Sequence, residues 1–444
     1  MSPEEVRSHL LSYIESKKNE QTQLLEDLVK IPSISCTQHE GAAQKLVERS
    51  LRGTHGIDLD LWEPRTEDLS AYPLHPIRTG EWTYDGRPNV VGILRGTGGG
   101  KSIILNGHID VVSPEPVKEW KHAPWGSEIV GDKMYGRGTM DMKGGIAAMV
   151  YAVRAIAESG IKLRGDVILE SMVEEEYGGG GTVAAVVKGY KADAAIICEA
   201  TSSNSIGIAS GGSRFFRVKI YGKPEWPHLA HYGVNAIGLA SKVYEALLEL
   251  DRERGLRLRG KHPMLESLRA GDMRGPGRPT NMTIGVMRAG DWPATVAGWA
   301  EIEGRVGFPP SESGHDVQRE VEQAVRRAAE GDPWMLEHPP EVEWWGARRE
   351  AFELDPSSPV VQTLKKNVDS LVGPCELYGT SSASDAAYIA PKVGAYGGIP
   401  TVSYGPGGGG AHTFDEYVNL QEVTDVTKVL ASTIIDWCGR DDAL

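Results

Sequence analysis

Histidine and carboxylate side chains recur at the ends of apolar segments, where they could act together. The run SIIL at 102–105 leads into Asn-Gly-His-Ile-Asp, which puts His108 and Asp110 on the same side of an extended chain. Asp141 stands between glycines, just before an apolar helical pattern that begins at Gly144. Taken singly, the first pair fits a surface turn and Asp141 fits a helix cap. Glycines on both sides of Asp141 instead indicate close approach of the backbone to another group.

Further acidic and imidazole groups follow the same pattern. One strand-like run ends in three adjacent glutamates, 174–176, before four glycines, and the next such run ends in Glu199. His412 comes after another strand-like run and a Gly-rich loop. Adjacent carboxylates repel one another unless solvent or cations neutralise them. The glutamate run is therefore either an exposed charged turn or part of a cation site.

The types of these side chains indicate which cations they could bind. Oxygen and imidazole donors without a thiolate suit zinc, manganese or cobalt. The excess of carboxylates suits two ions that share a bridging carboxylate, and a spare carboxylate could act as general base. The predicted cofactor is a pair of divalent metal ions, zinc first, with cobalt or manganese as alternatives.

Strand-like segments alternate with helical ones, which predicts an α/β fold with a mostly parallel sheet. In such sheets ligands bind at the carboxyl ends of the strands, so we expect the polar side chains to meet at one edge. The predicted helices are 3–30, 144–159 and 357–372, and the predicted strands are 89–94, 102–105, 166–173, 192–198 and 401–404.

The pattern changes after 212 and returns near 350. Segments between these points follow a β-α-β-β-α-β order, which is the split ferredoxin-like arrangement. The strands are predicted at 214–221, 281–286, 299–306 and 341–345, the helices at 234–250 and 314–330, and a loop at 258–280. We therefore expect a smaller α+β domain, 213–346, inserted between the two parts of the catalytic domain, 1–212 and 347–444.

Composition excludes several classes of partner. The chain of 444 residues has 47 basic and 61 acidic residues, a net charge of −14, which argues against binding to nucleic acid or anionic lipid. No apolar stretch is long enough to span a bilayer, and the acidic N-terminus lacks the apolar segment of a signal peptide. The four cysteines are far apart, which is typical of reduced thiols, so we expect a cytoplasmic protein.

Four motifs in order carry a family resemblance that spans nearly the whole chain. They are NGHIDVV at 106–112, GRGTMDMKGG at 136–145, EEEYGGGGT at 174–182 and AHTFDEY at 411–417. This combination resembles the dizinc deacylase and peptidase family of acetylornithine deacetylase, succinyl-diaminopimelate desuccinylase, aminoacylase and glutamate carboxypeptidase. The resemblance implies that the inserted domain is a lid that often serves for dimerisation, and hence a homodimer.

The resemblance also implies a role for each polar residue. The implied ligand sets are His108, Asp141 and Glu199 for one ion, and Asp141, Glu176 and His412 for the other. Asp110 would orient His108. Glu175 would act as general base on a metal-activated water and return the proton to the leaving nitrogen.

The inserted domain departs from the family pattern at one catalytic position. Relatives often have a histidine there that stabilises the oxyanion in a partner subunit, whereas Trp226 occupies the position in this chain. Either His228 or His231 supplies the donor after a local shift, or oxyanion stabilisation differs. The plain alternative is that both histidines lie in a solvated loop. Asn281 and Arg305 match positions where relatives place polar groups that face the substrate.

The predicted function is hydrolysis of an amide bond in an N-acyl amino acid or a related small molecule. Ser384-Asp385-Ala386-Ala387 replaces the arginine-containing segment of some deacetylases and is closer to the carboxypeptidase-like branch, which weakens any assignment to acetylornithine. The alternatives are a dipeptidase or carboxypeptidase, an aryl-amide or aryl-amine hydrolase, or a non-catalytic relative that binds small ligands.

Overall fold

A large sheet forms the centre of the protein, in a computed structural model that describes residues 2–77, 83–266 and 277–441. Its central strand, Ile103–His108, pairs in parallel with Val167–Met172 on one side and Ala194–Ile197 on the other. Within the described residues the strands, in sheet order, are Ile57–Trp62, Asn89–Leu94, Val167–Met172, Ile103–His108, Ala194–Ile197, Thr401–Ser403, Ser205–Ser210 and Phe352–Glu353, with Glu376–Thr380 also pairing to Ser205–Ser210. The predicted α/β class with a mostly parallel central sheet is confirmed.

The central strand is longer than predicted. It continues through His108 because Asn106, Gly107 and His108 pair in register with the end of the strand Val167–Met172. All six residues of Ile103–His108 are buried. His108 is therefore the last residue of a buried strand, rather than part of the loop that follows it.

Helices cover this sheet. Gly144–Glu158 and Leu420–Cys438 pack against each other and against the strand Ile103–His108. The helices of the described chain are Pro3–Ser16, Lys18–Val29, His39–Arg52, Thr66–Leu69, Gly144–Glu158, Gly180–Lys188, Ala236–Leu258, Pro263–Glu266, Gly314–Glu330, Pro333–Glu337, Pro359–Leu371, Ala386–Ile389 and Leu420–Cys438, with short 3-10 turns at Val117–Glu119 and Pro227–Tyr232 and a wider turn at Thr139–Lys143. None of the helices in this part of the chain has the length and apolar character needed to cross a lipid bilayer.

The predicted N-terminal helix is divided into two. Lys17 leaves the helical conformation between Pro3–Ser16 and Lys18–Val29, although neither proline nor glycine stands there. Both helices pack on Gly144–Glu158, and this tertiary packing overrides the local helical propensity.

A second, separate sheet is antiparallel. Its strands, in sheet order, are Met282–Ala289, Trp299–Phe308, Gly212–Tyr221 and Glu341–Arg349. Ala236–Leu258 and Gly314–Glu330 pack on it and share a hydrophobic core that is distinct from that of the large sheet. The β-α-β-β-α-β order matches the predicted ferredoxin-like arrangement. The domain boundaries at 212/213 and 346/347 stay a prediction.

Two elements of this region differ from the prediction. The helix predicted at 234–250 runs from Ala236 to Leu258. Its additional turns are buried at Arg254, whose charge is neutralised by ion pairs with Glu312 and Glu320. The buried face of the helix therefore continues through a charged residue, which an apolar pattern does not predict. The loop predicted at 258–280 contains the short helix Pro263–Glu266, and its residues 267–276 lie outside the described part of the chain.

Two small sheets complete the fold. The first joins strands that flank two of the glycine-containing motifs of the sequence: Glu128–Val130, Lys133–Tyr135, Tyr417–Asn419 and Gly408–Gly409. The second is the hairpin of Lys392–Val393 and Tyr396–Gly397. The pairing of Lys133–Tyr135 with Tyr417–Asn419 brings the chain just before Asp141 beside the chain just after His412.

Candidate metal centre

His108 has one ring nitrogen held by the protein and the other directed at carboxylates. Its Nδ1 lies 2.9 Å from the main-chain oxygen of Asp110 and 3.5 Å from Oδ1 of the same residue. Its Nε2 lies 3.1 Å from Asp141 Oδ1 and 3.5 Å from Glu199 Oε1. A metal-binding histidine is commonly oriented in this way through its second nitrogen. Asp110 therefore stands where the predicted orienting role requires it.

A second group of ligand atoms forms around His412. The Nε2 atom of His412 lies 3.1 Å from Asp141 Oδ2 and 3.0 Å from Glu176 Oε2. These atoms, like those of His108, Asp141 and Glu199, all lie within 4.8 Å of one another. The structure thus brings together both sets of side chains predicted from the sequence.

Asp141 belongs to both groups. One oxygen of its carboxylate faces His108 and the other faces His412, so that the side chain lies between two clusters of donors. A bridging carboxylate in a two-metal site has this arrangement. The structure places Asp141 at the centre of the predicted site.

A glycine allows the segment that carries Asp141 to lie close to the segment that carries Glu199. Gly145 is the second residue of the helix Gly144–Glu158, and a Cβ atom there would lie 1.9 Å from the main-chain oxygen of Cys198. Any larger residue would push the helix away from the end of the strand Ala194–Ile197, where Glu199 follows. The close approach inferred from the glycines around Asp141 is confirmed at this position.

Glu175, the predicted base, lies beside the ligands and is held by its neighbours. The Asp110 carboxylate accepts the main-chain N–H groups of Glu175 at 3.0 Å and of Glu176 at 3.1 Å. Burial raises the pKa of Glu175 well above its usual value, and the positive charge of Arg349 opposes that rise. A buried carboxylate with a raised pKa is a stronger proton acceptor when ionised. The same stretch of backbone therefore carries both the predicted ligand Glu176 and the predicted base Glu175.

The cluster opens into a cavity of about 460 Å³. Glu175, Glu176, Glu199, Asp141 and His412 lie in its wall. Aromatic, cationic and hydroxyl groups line it beside them: Phe215, Arg305, Arg349, Tyr378, Thr380, Ser382, Ser384 and Ser403. Both sheets contribute, since Phe215, Arg305 and Arg349 come from strands of the antiparallel sheet.

The chemistry of the donors fits a pair of divalent cations. Asp141 and Glu176 raise the pKa of His412 to about 11, which shows how strongly this pocket favours positive charge. Asp141 shares its two oxygens between the groups, and one imidazole in each group completes a set of oxygen and nitrogen donors. Such a set accepts zinc, cobalt and manganese alike, so it does not select one of them.

Two predicted residues do not join the cluster. His228 and His231 lie on the exposed 3-10 turn Pro227–Tyr232, and the cavity wall includes neither of them among the described residues. Trp226, at the position where relatives have histidine, is 70% exposed. Asn281 donates to Ser381, next to the cavity residues Thr380 and Ser382.

Sequence reasoning missed a buried network behind Glu175. Arg349 contacts Glu175 at 2.6 Å and lies 4.0 Å from Asp385, whose other oxygen accepts a hydrogen bond of 2.5 Å from Thr182. In the sequence, Asp385 stands out only because its segment departs from the family pattern. Arg349 had no local signal, because it contacts the base only through the tertiary fold.

The chain is similar to members of a known protein family. Residues 104–436 match the family described as Peptidase family M20/M25/M40. A relative from Halalkalibacterium halodurans, named N-formyl-4-amino-5-aminomethyl-2-methylpyrimidine deformylase, is 30% identical over 98% of this chain and 98% of its own length. A relative of the same name from Bacillus subtilis is 32% identical over 80% of this chain and 84% of its own length.

A solved structure shares the fold. The YXEP protein of Bacillus subtilis, described as a dinuclear metal binding peptidase of the M20 family, superimposes with a TM-score of 0.62 and 15% identity, covering 96% of this chain and 99% of that one. At this identity the likeness shows the fold alone.

Proposed function

The chain belongs to peptidase family M20/M25/M40 and is a metal-dependent amide hydrolase, and we propose that it removes the formyl group from a small N-formyl amine that carries an aromatic ring. The names of the two deformylase relatives support this substrate class. The observation that carries the proposal is the cavity of about 460 Å³, whose wall includes Glu175, members of both ligand groups, and the aromatic side chains of Phe215 and Tyr378. That volume suits a substituted pyrimidine rather than a long peptide.

We propose that His108, Asp141 and Glu199 hold one ion, and that Asp141, Glu176 and His412 hold the other. Zinc is our first choice, with cobalt or manganese as alternatives. Two such ions, when bound, act as Lewis acids that acidify water and polarise the amide carbonyl.

The side chain of Glu175 carries the proton in this proposal. It accepts the proton of the attacking water and gives it to the amine that leaves, so one carboxylate serves as base and then as acid. Arg349 keeps the carboxylate directed into the cavity, and Asp110 fixes the main chain on which it stands.

An N-acyl amino acid is the second candidate substrate, and Arg305 favours it. The guanidinium group of Arg305 lines the cavity, and among the described residues it forms neither a hydrogen bond nor an ion pair. Burial, together with the nearby positive charge of Arg349, lowers its pKa to about 10. A substrate carboxylate would pair with this half-buried charge.

A substrate panel tests these two candidates. The zinc-loaded protein is given an N-formyl and an N-acetyl aminomethylpyrimidine, an N-formyl and an N-acetyl amino acid, and a dipeptide, and release of acid or amine is measured. We expect kcat/KM to be highest for the N-formyl aminomethylpyrimidine, by at least about tenfold. Highest kcat/KM for an N-acyl amino acid supports the second candidate, and highest kcat/KM for the dipeptide contradicts both.

We also propose a homodimer formed through the inserted domain, 213–346. On the helix Ala236–Leu258, Ile237, Tyr244 and Leu248 are exposed on one face, with Leu248 at 46%. Within the described residues, the strand Met282–Ala289 pairs on one side only and exposes Met287. An apolar helix face beside an open strand edge is typical of a surface that pairs with a copy of itself.

In such a dimer, His228 or His231 would have to reach the cavity of the partner subunit to supply the predicted oxyanion donor.

We further propose a cytoplasmic location. It is supported by Cys36, Cys198, Cys375 and Cys438, which are all free thiols.

A further inference from the structure

Glu416 is a fully buried carboxylate that lies outside the cavity wall but behind the ligands. It comes four residues after His412 in the chain, and its side chain has no solvent exposure. Its Oε1 atom lies 3.0 Å from the main-chain nitrogens of both Met140 and Asp141. Its Oε2 atom lies 3.0 Å from the main-chain nitrogen of Gly138 and 2.6 Å from Arg137 Nη1.

All of these donors come from one short segment, 137–141. A carboxylate loses its hydration when it is buried, and only several charge-assisted hydrogen bonds offset that cost. Here one side chain accepts hydrogen bonds from three backbone N–H groups and a guanidinium group. Removal of the carboxylate would leave the N–H groups of Gly138, Met140 and Asp141 buried without this acceptor.

Two further hydrogen bonds join the same two segments, again with donors from the first and acceptors from the second. Arg137 also donates to the main-chain oxygen of Thr413 at 2.8 Å, and the Gly136 N–H group donates to the main-chain oxygen of Glu416 at 2.8 Å. One of these segments carries Asp141 and the other carries His412. Their ligand atoms, Asp141 Oδ2 and His412 Nε2, are 3.1 Å apart.

We propose that Glu416 is a positioning residue for the metal pair. It fixes the main chain of Asp141 so that the two carboxylate oxygens face the two ligand groups, and it keeps His412 at the side of the second ion. Loss of these hydrogen bonds weakens metal binding, because the side chains of Asp141 and His412 must then be ordered when the metal binds. The inference rests on the proposed dimetal site and is independent of the proposed substrate.

The test is metal affinity, measured without substrate. The full chain is freed of metal with a chelator, shown to be folded by circular dichroism, and titrated with Zn²⁺ in competition with a chromophoric chelator. We expect Glu416→Gln to weaken at least one of the two binding events by about 10- to 100-fold. The visible spectrum of the Co²⁺-loaded variant should change as well, because that spectrum reports ligand geometry.

Asp332→Asn is the matched control. Asp332 is also a carboxylate that accepts two main-chain N–H groups, those of Trp334 and Met335, and pairs with a cation, Lys242, but it caps a helix in the antiparallel part of the fold. Its replacement should lower stability and leave Zn²⁺ affinity unchanged.

Weakening by threefold or more relative to Asp332→Asn supports the proposal, and a smaller effect overturns it. If Glu416→Gln does not fold, Arg137→Lys decides by the same threshold, since lysine keeps the charge but has only one nitrogen in place of the two that contact Glu416 and Thr413. If the wild-type protein does not bind two equivalents of Zn²⁺, the proposed dimetal site itself is wrong. If it binds two equivalents but lacks deformylase activity, only the proposed substrate is wrong.

Discussion

One nitrogen of Arg349 lies 2.6 Å from both the side-chain Oε1 atom and the main-chain oxygen of Glu175. Arg349 ends the strand Glu341–Arg349 of the antiparallel sheet, whereas Glu175 follows a strand of the large sheet. The predicted base is thus held by a residue from the other sheet. Any movement between the two sheets would alter the position of this carboxylate.

Replacement of Arg349 by lysine should slow the reaction without loss of metal. A lysine retains the charge but lacks the second nitrogen, which donates to the main-chain oxygen of Ala383 at 3.2 Å and helps to fix the guanidinium group beside Glu175. We expect kcat to fall by about 10- to 100-fold, the cost of a slightly misplaced catalytic group. Steady-state kinetics and elemental analysis check this. Arg348→Lys, at the neighbouring position, is the control, and equal kcat values for the two variants would refute the positioning role.

Replacement of Glu175 by glutamine should remove most of the turnover. The amide cannot accept the proton of the attacking water, so kcat is expected to fall by about 10²- to 10⁴-fold. The ligand atoms of His108, Asp141, Glu176, Glu199 and His412 are unchanged, so the protein should still contain two metal ions. A rate like that of the wild type, or loss of metal in this variant, would contradict the assignment of Glu175 as base.

The dimer proposed for the inserted domain depends on its exposed apolar helix face. Leu248→Asp places a charge at the centre of that face and should convert a dimer into a monomer. Size-exclusion chromatography with light scattering measures the change. Leu336→Asp is the control, because Leu336 is 61% exposed but lies on the helix Pro333–Glu337. A monomeric wild type, or a dimeric Leu248→Asp variant, would rule out this interface.

Glu170 is expected to make stability depend on pH. It is buried in the strand Val167–Met172, where Asn106 donates to it at 2.9 Å. Burial raises the pKa of Glu170 from 4.5 to about 7. Below pH 4.5 the side chain is protonated in both the folded and the unfolded protein; between pH 4.5 and 7 mainly the unfolded protein loses the proton, so stability falls as the pH rises.

Glu170→Gln should abolish that part of the pH dependence. Relative to the wild type, the variant should gain on the order of 1–3 kcal/mol in free energy of unfolding from pH 4.5 to pH 7, with no further gain above pH 7. Urea denaturation across this range measures the difference. A difference that does not vary with pH would show that the carboxyl group is not held neutral by the fold.

Much of the site could be predicted because its ligands stand beside strong local signals. His108, Asp141, Glu176 and Glu199 all lie close to glycines or to buried strands whose apolar runs are visible in the sequence. The carboxyl ends of adjacent parallel strands meet at one edge, so the pattern also predicts that the ligands converge.

The remainder depends on contacts between distant parts of the chain. Arg349 is one of 47 basic residues, and its sequence position does not indicate that it contacts Glu175. Glu416 lies four residues after His412, within the same motif. Its contacts with residues 137–141, however, form only because the strands Lys133–Tyr135 and Tyr417–Asn419 pair in the fold. The break at Lys17 likewise arises from packing, since the local sequence favours a continuous helix.

Metal stoichiometry of three proteins tests the shared role of Asp141 most directly. Elemental analysis after loading with Zn²⁺ and dialysis should find two equivalents in the wild type, one in His412→Ala, and fewer than one in Asp141→Asn, since both ions lose a ligand there. His122→Ala, which removes a histidine that pairs with Glu128 away from the cluster, should retain two. One equivalent or none in the wild type, or two in Asp141→Asn, would contradict a dimetal centre bridged by Asp141.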